Sequence, residues 1–168
     1  MEECVLLDLT EVILEKGKVI HRETEVTLTE LSYKSGTYPV VSREPLVLDI
    51  ENQEGERISI EGSTSLEVLI PCARCLEPVT CRLEIQLESE LDLKDKDYID
   101  GYNLDVDQLV HDQALLFWPE RVLCKETCKG LCSTCGQNLN HGSCHCEQTD
   151  LDPRMAKVLD LFSNFKEV

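Results

Sequence analysis

The sequence predicts an α+β fold, in which a curved antiparallel β-sheet carries one or two helices. Three features of the 168-residue chain lead to this prediction. Long segments alternate apolar and polar residues, as antiparallel strands with one buried face do. One later segment combines helical apolar spacing with an N-terminal cap. Six of the ten cysteines fall between Cys124 and Cys146, which adds a cysteine-rich C-terminal tail.

Apolar and polar residues alternate least regularly in the first third of the chain. Residues 12–14 and 19–20 are apolar and flank Glu15-Lys16-Gly17, which predicts a hairpin turn with Gly17 at a positive φ. Residues 25–29 alternate again and predict a further strand. Residues 33–39 contain glycine and proline and predict a loop.

The middle of the chain carries the clearest strands. Leu46, Leu48 and Ile50 share one parity, and apolar residues then recur on one parity over residues 58–70 and 79–87. A period of two over this length predicts two long antiparallel strands that form a hairpin. The motif Pro71-Cys72-Ala73-Arg74-Cys75 then lies at the hairpin tip.

A helix is predicted over residues 105–118, after an acidic connector at residues 91–102. We interpret the connector as a solvated segment rather than a catalytic carboxylate site. Asp105 is suited to the N-cap and Gln108 completes a capping box. One apolar stripe is formed by Val106, Leu109, Val110, Leu116 and Phe117. Phe117 and Trp118 could stack on a nucleic-acid base, but we interpret both as core residues at the helix end. Pro119 ends the helix.

The chain therefore divides into three predicted parts. Residues 1–118 form the sheet domain with its capping helix, and residues 119–150 form a cysteine-rich segment. A C-terminal helix is predicted over residues 151–168, because Asp152 can cap it and Pro153 suits its first position. We expect this helix to pack back on the sheet.

The cysteines are expected to be reduced. The N-terminus is acidic and lacks the pattern of a secretory signal, and no apolar run approaches the roughly 18 residues that span a bilayer. The sequence therefore predicts a cytoplasmic protein without a membrane partner, where thiols more often bind metal than form disulfides. Cysteine pairs separated by two residues are typical of zinc sites.

Eight cysteines are predicted zinc ligands. Cys132 and Cys135 are expected to act with Cys144 and Cys146. Cys72 and Cys75 then combine with Cys124 and Cys128 in a second site, which would clamp the tail onto the sheet. In a competing partition, Cys124 and Cys128 pair with one of the later cysteine pairs, which leaves the hairpin pair free or redox-active.

The number of zinc ions, one or two, depends on this partition. His141 or His145 could replace a cysteine, and an iron–sulfur cluster could use the same residues. A site closed by four thiolates is structural, because catalytic zinc keeps a position open for water.

The net charge of −17 disfavours general binding to nucleic acid and suits a basic partner. Basic residues nevertheless lie near the cysteine pairs. Candidate contacts to RNA or a partner are Arg74, Arg121, Lys125 and Lys129. The alternative interpretation is that these cations offset the charge of the thiolates.

Taken together, several motifs resemble the YceD family of large ribosomal RNA subunit accumulation proteins, from about residue 45 onward. The motifs are the segment at residues 71–79, the acidic stretch, the capped helix, the cysteine-rich segment that contains Lys129-Gly130-Leu131-Cys132, and Asp152-Pro153-Arg154. The tail is similar to the zinc-rich version of Gram-positive-type members.

The resemblance implies a non-enzymatic role in large-subunit rRNA accumulation and ribosome assembly, with no small-molecule substrate. The implied partners are large-subunit rRNA, precursor large-subunit particles or a small basic ribosomal protein. Two alternatives stay open. One is an acidic escort for such a basic protein, with residues 84–107 as its docking segment, and the other is a thiol redox protein.

Overall fold

The computed structural model describes residues 5–34, 36–53 and 56–146. The strands and helices in this part of the chain are β1 (Leu6–Asp8), α1 (Thr10–Leu14), β2 (Val19–Thr24), β3 (Glu30–Tyr33), β4 (Gly36–Arg43), β5 (Leu46–Gln53), β6 (Arg57–Pro71), β7 (Pro78–Asp92), β8 (Ile99–Asp100), β9 (Asn103–Asp105) and α2 (Val106–Leu116). All of the paired strands run antiparallel. The predicted fold class is therefore confirmed.

Strand β6 is the centre of the main sheet. It pairs with β7 along its whole length, from Arg57 opposite Asp92 to Pro71 opposite Pro78. The other edge of β6 is shared, because β5 pairs with its first half and β4 with its second half. The order β2-β5-β6-β4-β3 results, with β7 on the free side of β6, and β1, β9 and β8 form a separate small sheet.

The alternation predicted for the long hairpin is confirmed. Ile58, Ile60, Leu66, Val68 and Ile70 of β6 are buried, as are the central apolar residues of β7. Hydrophobic burial of this face holds the register of the two strands, since a slip by one residue would turn every buried side chain to solvent.

A glycine interrupts the apolar row of β6. A Cβ atom at Gly62 would lie 2.4 Å from the carbonyl oxygen of Val47 and 2.7 Å from Cδ2 of Leu48. Strand β5 therefore approaches β6 too closely at this point for any other residue.

The structure corrects the prediction for residues 12–14, which are helical rather than extended. Helix α1 ends beside Asn52, whose side-chain amide donates to the carbonyl oxygens of Val12 (2.8 Å) and Ile13 (3.3 Å). These are carbonyls that a short helix leaves without a partner. Gly17 has the expected positive φ of 71°, but β2 pairs with β5 and not with residues 12–14.

Residues 25–29 and 33–39 also differ from their predictions. Residues 25–29 form no strand. The backbone N–H of Thr27 donates instead to Oδ1 of the buried Asp107 (2.9 Å), which ties this segment to α2. Residues 33–39 are not a loop, because β3 and β4 pair there as a hairpin with Tyr33 opposite Gly36.

Helix α2 begins with the predicted N-cap, since the Asp105 side chain accepts a hydrogen bond from the backbone N–H of Gln108 (2.9 Å). The predicted capping box does not form, because the Gln108 amide donates to Asp112 (3.0 Å) and the Asp105 N–H donates to the carbonyl of Tyr98 (2.8 Å). The end of the helix also differs from the prediction. The helix stops at Leu116, and Leu116 and Phe117 are 75% and 44% exposed, so they do not extend the buried stripe. Trp118 is half-buried and packs against the core.

The helix predicted for residues 151–168 lies outside the described residues. Within residues 5–34, 36–53 and 56–146, none of the helices has the length and apolar character needed to cross a membrane.

Candidate metal centres

A compact turn at the tip of the β6–β7 hairpin presents the first pair of cysteines. The backbone N–H of Cys72 donates to the carbonyl of Glu77 (2.8 Å), and that of Leu76 donates back to the carbonyl of Cys72 (3.0 Å). The backbone N–H of Arg74 points at the Cys72 sulfur (3.5 Å). Leu76 closes the turn with a φ of 61°.

Residues 132–137 repeat the same turn. Cys132 donates its backbone N–H to the carbonyl of Gln137 (2.8 Å), and Gly136 donates to the carbonyl of Cys132 (2.9 Å). The backbone N–H of Thr134 points at the Cys132 sulfur (3.4 Å), and Gly136 has a φ of 73°. We refer to residues 72–77 as the hairpin knuckle and to residues 132–137 as the tail knuckle.

The hairpin knuckle meets the segment that follows α2. The sulfurs of Cys72, Cys75, Cys124 and Cys128 all lie within 4.8 Å of one another. The Cys72 and Cys128 sulfurs are 3.9 Å apart, and those of Cys75 and Cys124 are 3.6 Å apart. Three of the four residues are at most 4% exposed. We call these four residues the hairpin cluster.

The tail knuckle forms a second group with the last two cysteines. The sulfurs of Cys132, Cys135, Cys144 and Cys146 also lie within 4.8 Å of one another. Cys132 is buried, whereas Cys135 is exposed. We call these four residues the tail cluster.

The sulfur spacing fits a metal site. Four sulfurs placed tetrahedrally at about 2.3 Å from a zinc ion are about 3.8 Å apart, close to the distances in the hairpin cluster. A disulfide requires about 2.05 Å, and none of the nine cysteines in the described part of the chain forms one. Both clusters can therefore hold a metal ion, and their all-sulfur donor sets suit zinc.

Hydrogen bonds to sulfur favour a thiolate at the first cysteine of each knuckle. The backbone N–H of Cys75, together with that of Arg74, lowers the pKa of Cys72 to about 6. The backbone N–H groups of Cys135 and Thr134 lower the pKa of Cys132 to about 6 in the same way. Donation to the charged form of a thiol stabilises that form.

Four of the other thiols, those of Cys75, Cys124, Cys144 and Cys146, have raised pKa values because they are buried together with neighbouring sulfurs. The backbone of Glu77 donates to Cys75, but burial and the sulfurs of Cys124 and Cys72 outweigh this and raise the pKa of Cys75 to about 12. Four thiolates this close repel one another. A divalent cation between them removes the repulsion, which is the chemical reason that such a set binds metal.

Side chains outside the clusters hold them in place. The Asn140 amide donates to the Cys128 sulfur (3.3 Å), and its oxygen accepts from the backbone N–H of Lys129 (3.0 Å). The asparagine hydrogen bond lowers the pKa of Cys128. Nothing in the position of Asn140 in the sequence indicates this contact with sulfur.

The two clusters are also joined to each other. Nε2 of His141 lies 2.5 Å from Oε1 of Glu77, which connects the tail to the hairpin knuckle. Neither His141 nor His145 belongs to a four-sulfur group. A Cβ atom at Gly130 would lie 3.1 Å from the carbonyl oxygen of Arg74, so the two segments touch closely there as well.

The four candidate contact residues lie on the exposed surface around the hairpin cluster. Arg74 has a structural role, since its guanidinium donates to the carbonyl oxygens of Cys128 (2.8 Å) and Glu126 (3.3 Å). Lys125 and Lys129 flank the cysteines of the segment after α2. Arg121 lines a groove beside Trp118.

The sequence is similar to known proteins over much of its length. Residues 60–162 match the family described as "Large ribosomal RNA subunit accumulation protein YceD". Uncharacterized proteins of Mycobacterium bovis and of two Mycobacterium tuberculosis strains are each 28% identical over 117 residues. The matched region covers 63% of this chain and 56% of each relative, so the chain spans just over half the length of these relatives. No solved structure matches.

Proposed function

Because the chain belongs to the YceD family, with a match that extends over residues 60–162, we propose that it is a non-enzymatic factor for large-subunit ribosome biogenesis. Its role is to promote accumulation of large-subunit rRNA, by acting on that RNA or on precursor particles. The family match is the observation that carries this proposal.

We propose further that the eight clustered cysteines hold two structural zinc ions. Each group supplies four sulfurs and so leaves no coordination position for water or substrate. The zinc of the hairpin cluster joins the β6–β7 tip to the segment after α2. The described part of the cysteine-rich segment, residues 119–146, is then held by zinc and fixed to the sheet.

The geometry gives less support to a thiol redox protein. A redox pair needs an accessible, reactive thiolate, whereas Cys72 and Cys75 are 0% and 4% exposed and face two further sulfurs. Alkylation of the zinc-loaded protein separates the two functions. We expect both residues to be protected, and rapid modification of either would favour redox chemistry.

The test of the main proposal is purification of the tagged full chain from its native cells at low salt, with identification of RNA and protein. We expect recovery of precursor large-subunit rRNA together with a set of ribosomal proteins. Recovery of the chain without rRNA would contradict the proposal. A tagged acidic protein of similar size is the control for retention by charge.

A second candidate, an acidic escort for one basic ribosomal protein, is favoured by the outer face of the sheet. Asp49 of β5 lies opposite Glu61 of β6, which lies opposite Glu88 of β7, and all three are exposed. Like charges placed directly across strands destabilise a sheet. A basic partner that neutralised this row would therefore gain affinity from relief of the repulsion.

Substitutions that neutralise this row of carboxylates test the escort function. We expect Glu61→Gln with Glu88→Gln to weaken capture of a single basic protein, and Glu25→Gln with Glu30→Gln, at exposed positions elsewhere, to leave it unchanged. Capture that is equal in both variants would eliminate this face as the docking surface.

A further inference from the structure

A groove lies between the β3–β4 hairpin and the segment that connects α2 to the hairpin cluster. Its volume is about 470 Å³, within the range of ligand sites in proteins. The groove is lined by Tyr33, Lys34 and Tyr38 from the β3–β4 hairpin and by residues 118–122. Ile70 and Pro71 at the end of β6, and Ala73, also line it. We call this feature the aromatic groove.

Three aromatic rings meet in the aromatic groove. The Trp118 ring centroid is 5.0 Å from that of Tyr33 and 4.8 Å from that of Tyr38, and both ring pairs are tilted rather than parallel. All three residues are half-buried. The cluster is therefore held rigid by its own packing and still presents ring surface to the groove.

Two cationic side chains line the aromatic groove. Nζ of Lys34 lies 5.0 Å from the centre of the Tyr33 ring, and Arg121 also lines the groove. Both side chains are exposed, and among the described residues neither forms an ion pair with a carboxylate. In the described part of the chain, Glu120 is the single carboxylate in the lining.

The charge of this region differs from that of the whole chain. Residues 119–146 contain three lysines or arginines and two glutamates, whereas the chain carries a net charge of −17. The acidity is therefore concentrated on the remainder of the chain. A polyanion is repelled least at the end of the molecule where the aromatic groove lies.

We propose that the aromatic groove binds unpaired nucleotides of RNA. Aromatic surface for the bases combined with cations for the phosphates is the arrangement by which proteins bind single strands. A base lies against the Trp118 and tyrosine rings, and the adjacent phosphates lie near Lys34 and Arg121. This inference rests on the proposed function and names the surface through which that function contacts RNA.

The aromatic groove depends on the hairpin cluster. The backbone N–H of Ala73, in the hairpin knuckle, donates to the carbonyl of Val122 in the groove wall (2.8 Å). A metal ion in the hairpin cluster therefore also fixes the wall that carries Arg121. This contact gives the zinc a role in shaping the RNA surface.

The test uses Trp118 as its probe, because it is the only tryptophan of the chain. The zinc-loaded full chain is titrated with an unstructured single-stranded RNA oligomer at several salt concentrations, and tryptophan fluorescence is recorded. We expect saturable quenching. The variant Lys34→Gln with Arg121→Gln is expected to bind more weakly, and its salt slope should fall by about 1.4, at about 0.7 per phosphate contact on a single strand.

Lys16→Gln is the matched control. Lys16 is exposed and lies in the turn before β2, beside the Arg57 end of β6. That end is about 45 Å from the aromatic groove, at roughly 3.3 Å per strand residue. We expect this variant to bind RNA as the wild type does.

Three outcomes would overturn the inference: no quenching by RNA at low salt, equal affinity in the double variant and the control, or saturable quenching by a proline-rich peptide in place of RNA. The proposed function is tested separately, by recovery of precursor particles with the wild-type chain. Equal recovery with the double variant would reject the aromatic groove and keep the biogenesis role, whereas no recovery with either would reject the role.

Discussion

Leu76 occupies in the hairpin knuckle the position that Gly136 occupies in the tail knuckle. Both donate a backbone hydrogen bond to the carbonyl of the first cysteine, at 3.0 and 2.9 Å, and both have a positive φ, at 61° and 73°. Glycine adopts this conformation freely, whereas other residues are strained in it. One knuckle therefore contains strain that the other lacks.

We expect Leu76→Gly to stabilise the zinc-loaded protein by about 1 kcal/mol, because it removes the left-handed strain. The Leu76 side chain is 64% exposed, so little packing is lost. Urea unfolding measures the change. Gly136→Ala is the converse control and should destabilise by about 1 kcal/mol, since its Cβ meets no atom within 4 Å and only the backbone is strained. A less stable Leu76→Gly protein would contradict this account.

We expect two zinc ions per chain, one in each cluster. Cys75→Ser should remove the ion of the hairpin cluster, and Cys146→Ser that of the tail cluster, because each site needs four thiolates. Elemental analysis of purified protein gives the stoichiometry. Cys81→Ala, at a partly buried position outside both clusters, should keep both ions. A single ion in the wild type would contradict the assignment.

Acidification should release the zinc. Metal binds the deprotonated thiols, so protons compete with it and the affinity falls as the pH falls. At neutral pH we expect zinc binding to displace protons from Cys75, with its pKa of about 12, but few from Cys72, with its pKa of about 6. Calorimetry in buffers of different ionisation enthalpy counts these protons. Retention of metal that is independent of pH would exclude thiolate ligands.

Asn140→Ala should weaken zinc binding by about 10- to 100-fold, the usual effect of losing a hydrogen bond to a ligand. The amide that it removes donates to the Cys128 sulfur. Competition with a chelating dye measures the affinity. Asn52→Ala is the matched control, since this buried asparagine bonds to α1 and lies outside the clusters. That variant should unfold more easily and bind zinc normally.

Gly62→Ala should destabilise the fold by about 2 kcal/mol, because the new methyl group would overlap the carbonyl oxygen of Val47. Thermal unfolding of the zinc-loaded protein measures the loss. Ser63→Ala, at the next residue and exposed, should change stability by less than about 0.5 kcal/mol. Equal stability of the two variants would show that β5 can move away from β6.

The long segments that alternate with a period of two were sufficient to predict the central hairpin of the fold. Residues 58–70 and 79–87 alternate for long enough to exclude a helix, and β6 and β7 form there. The N-cap of α2 was likewise predictable, since the Asp105 side chain reaches the backbone N–H of Gln108 within one turn. Interactions between residues close in sequence determine these two elements.

Contacts distant in sequence decide the elements that were predicted wrongly. Residues 12–14 are helical beside Asn52, and Thr27 is held by Asp107, 80 residues further on. Spacing alone also left the grouping of the cysteines open. The fold places Cys124 and Cys128 against the hairpin tip, and the zinc that we propose there remains a prediction.

The cysteines of the hairpin cluster are synthesised at different times. Cys75 and Cys124 are 49 residues apart in sequence, and a ribosome adds about 5–20 residues per second. Cys75 is therefore made roughly 2.5–10 s before Cys124. During that interval the nascent chain carries half of a metal site, which is open to oxidation or to a wrong ligand. The site can close only after α2 and the segment that follows it have been synthesised. A metal ion bound by all four cysteines therefore shows that the chain between them is complete.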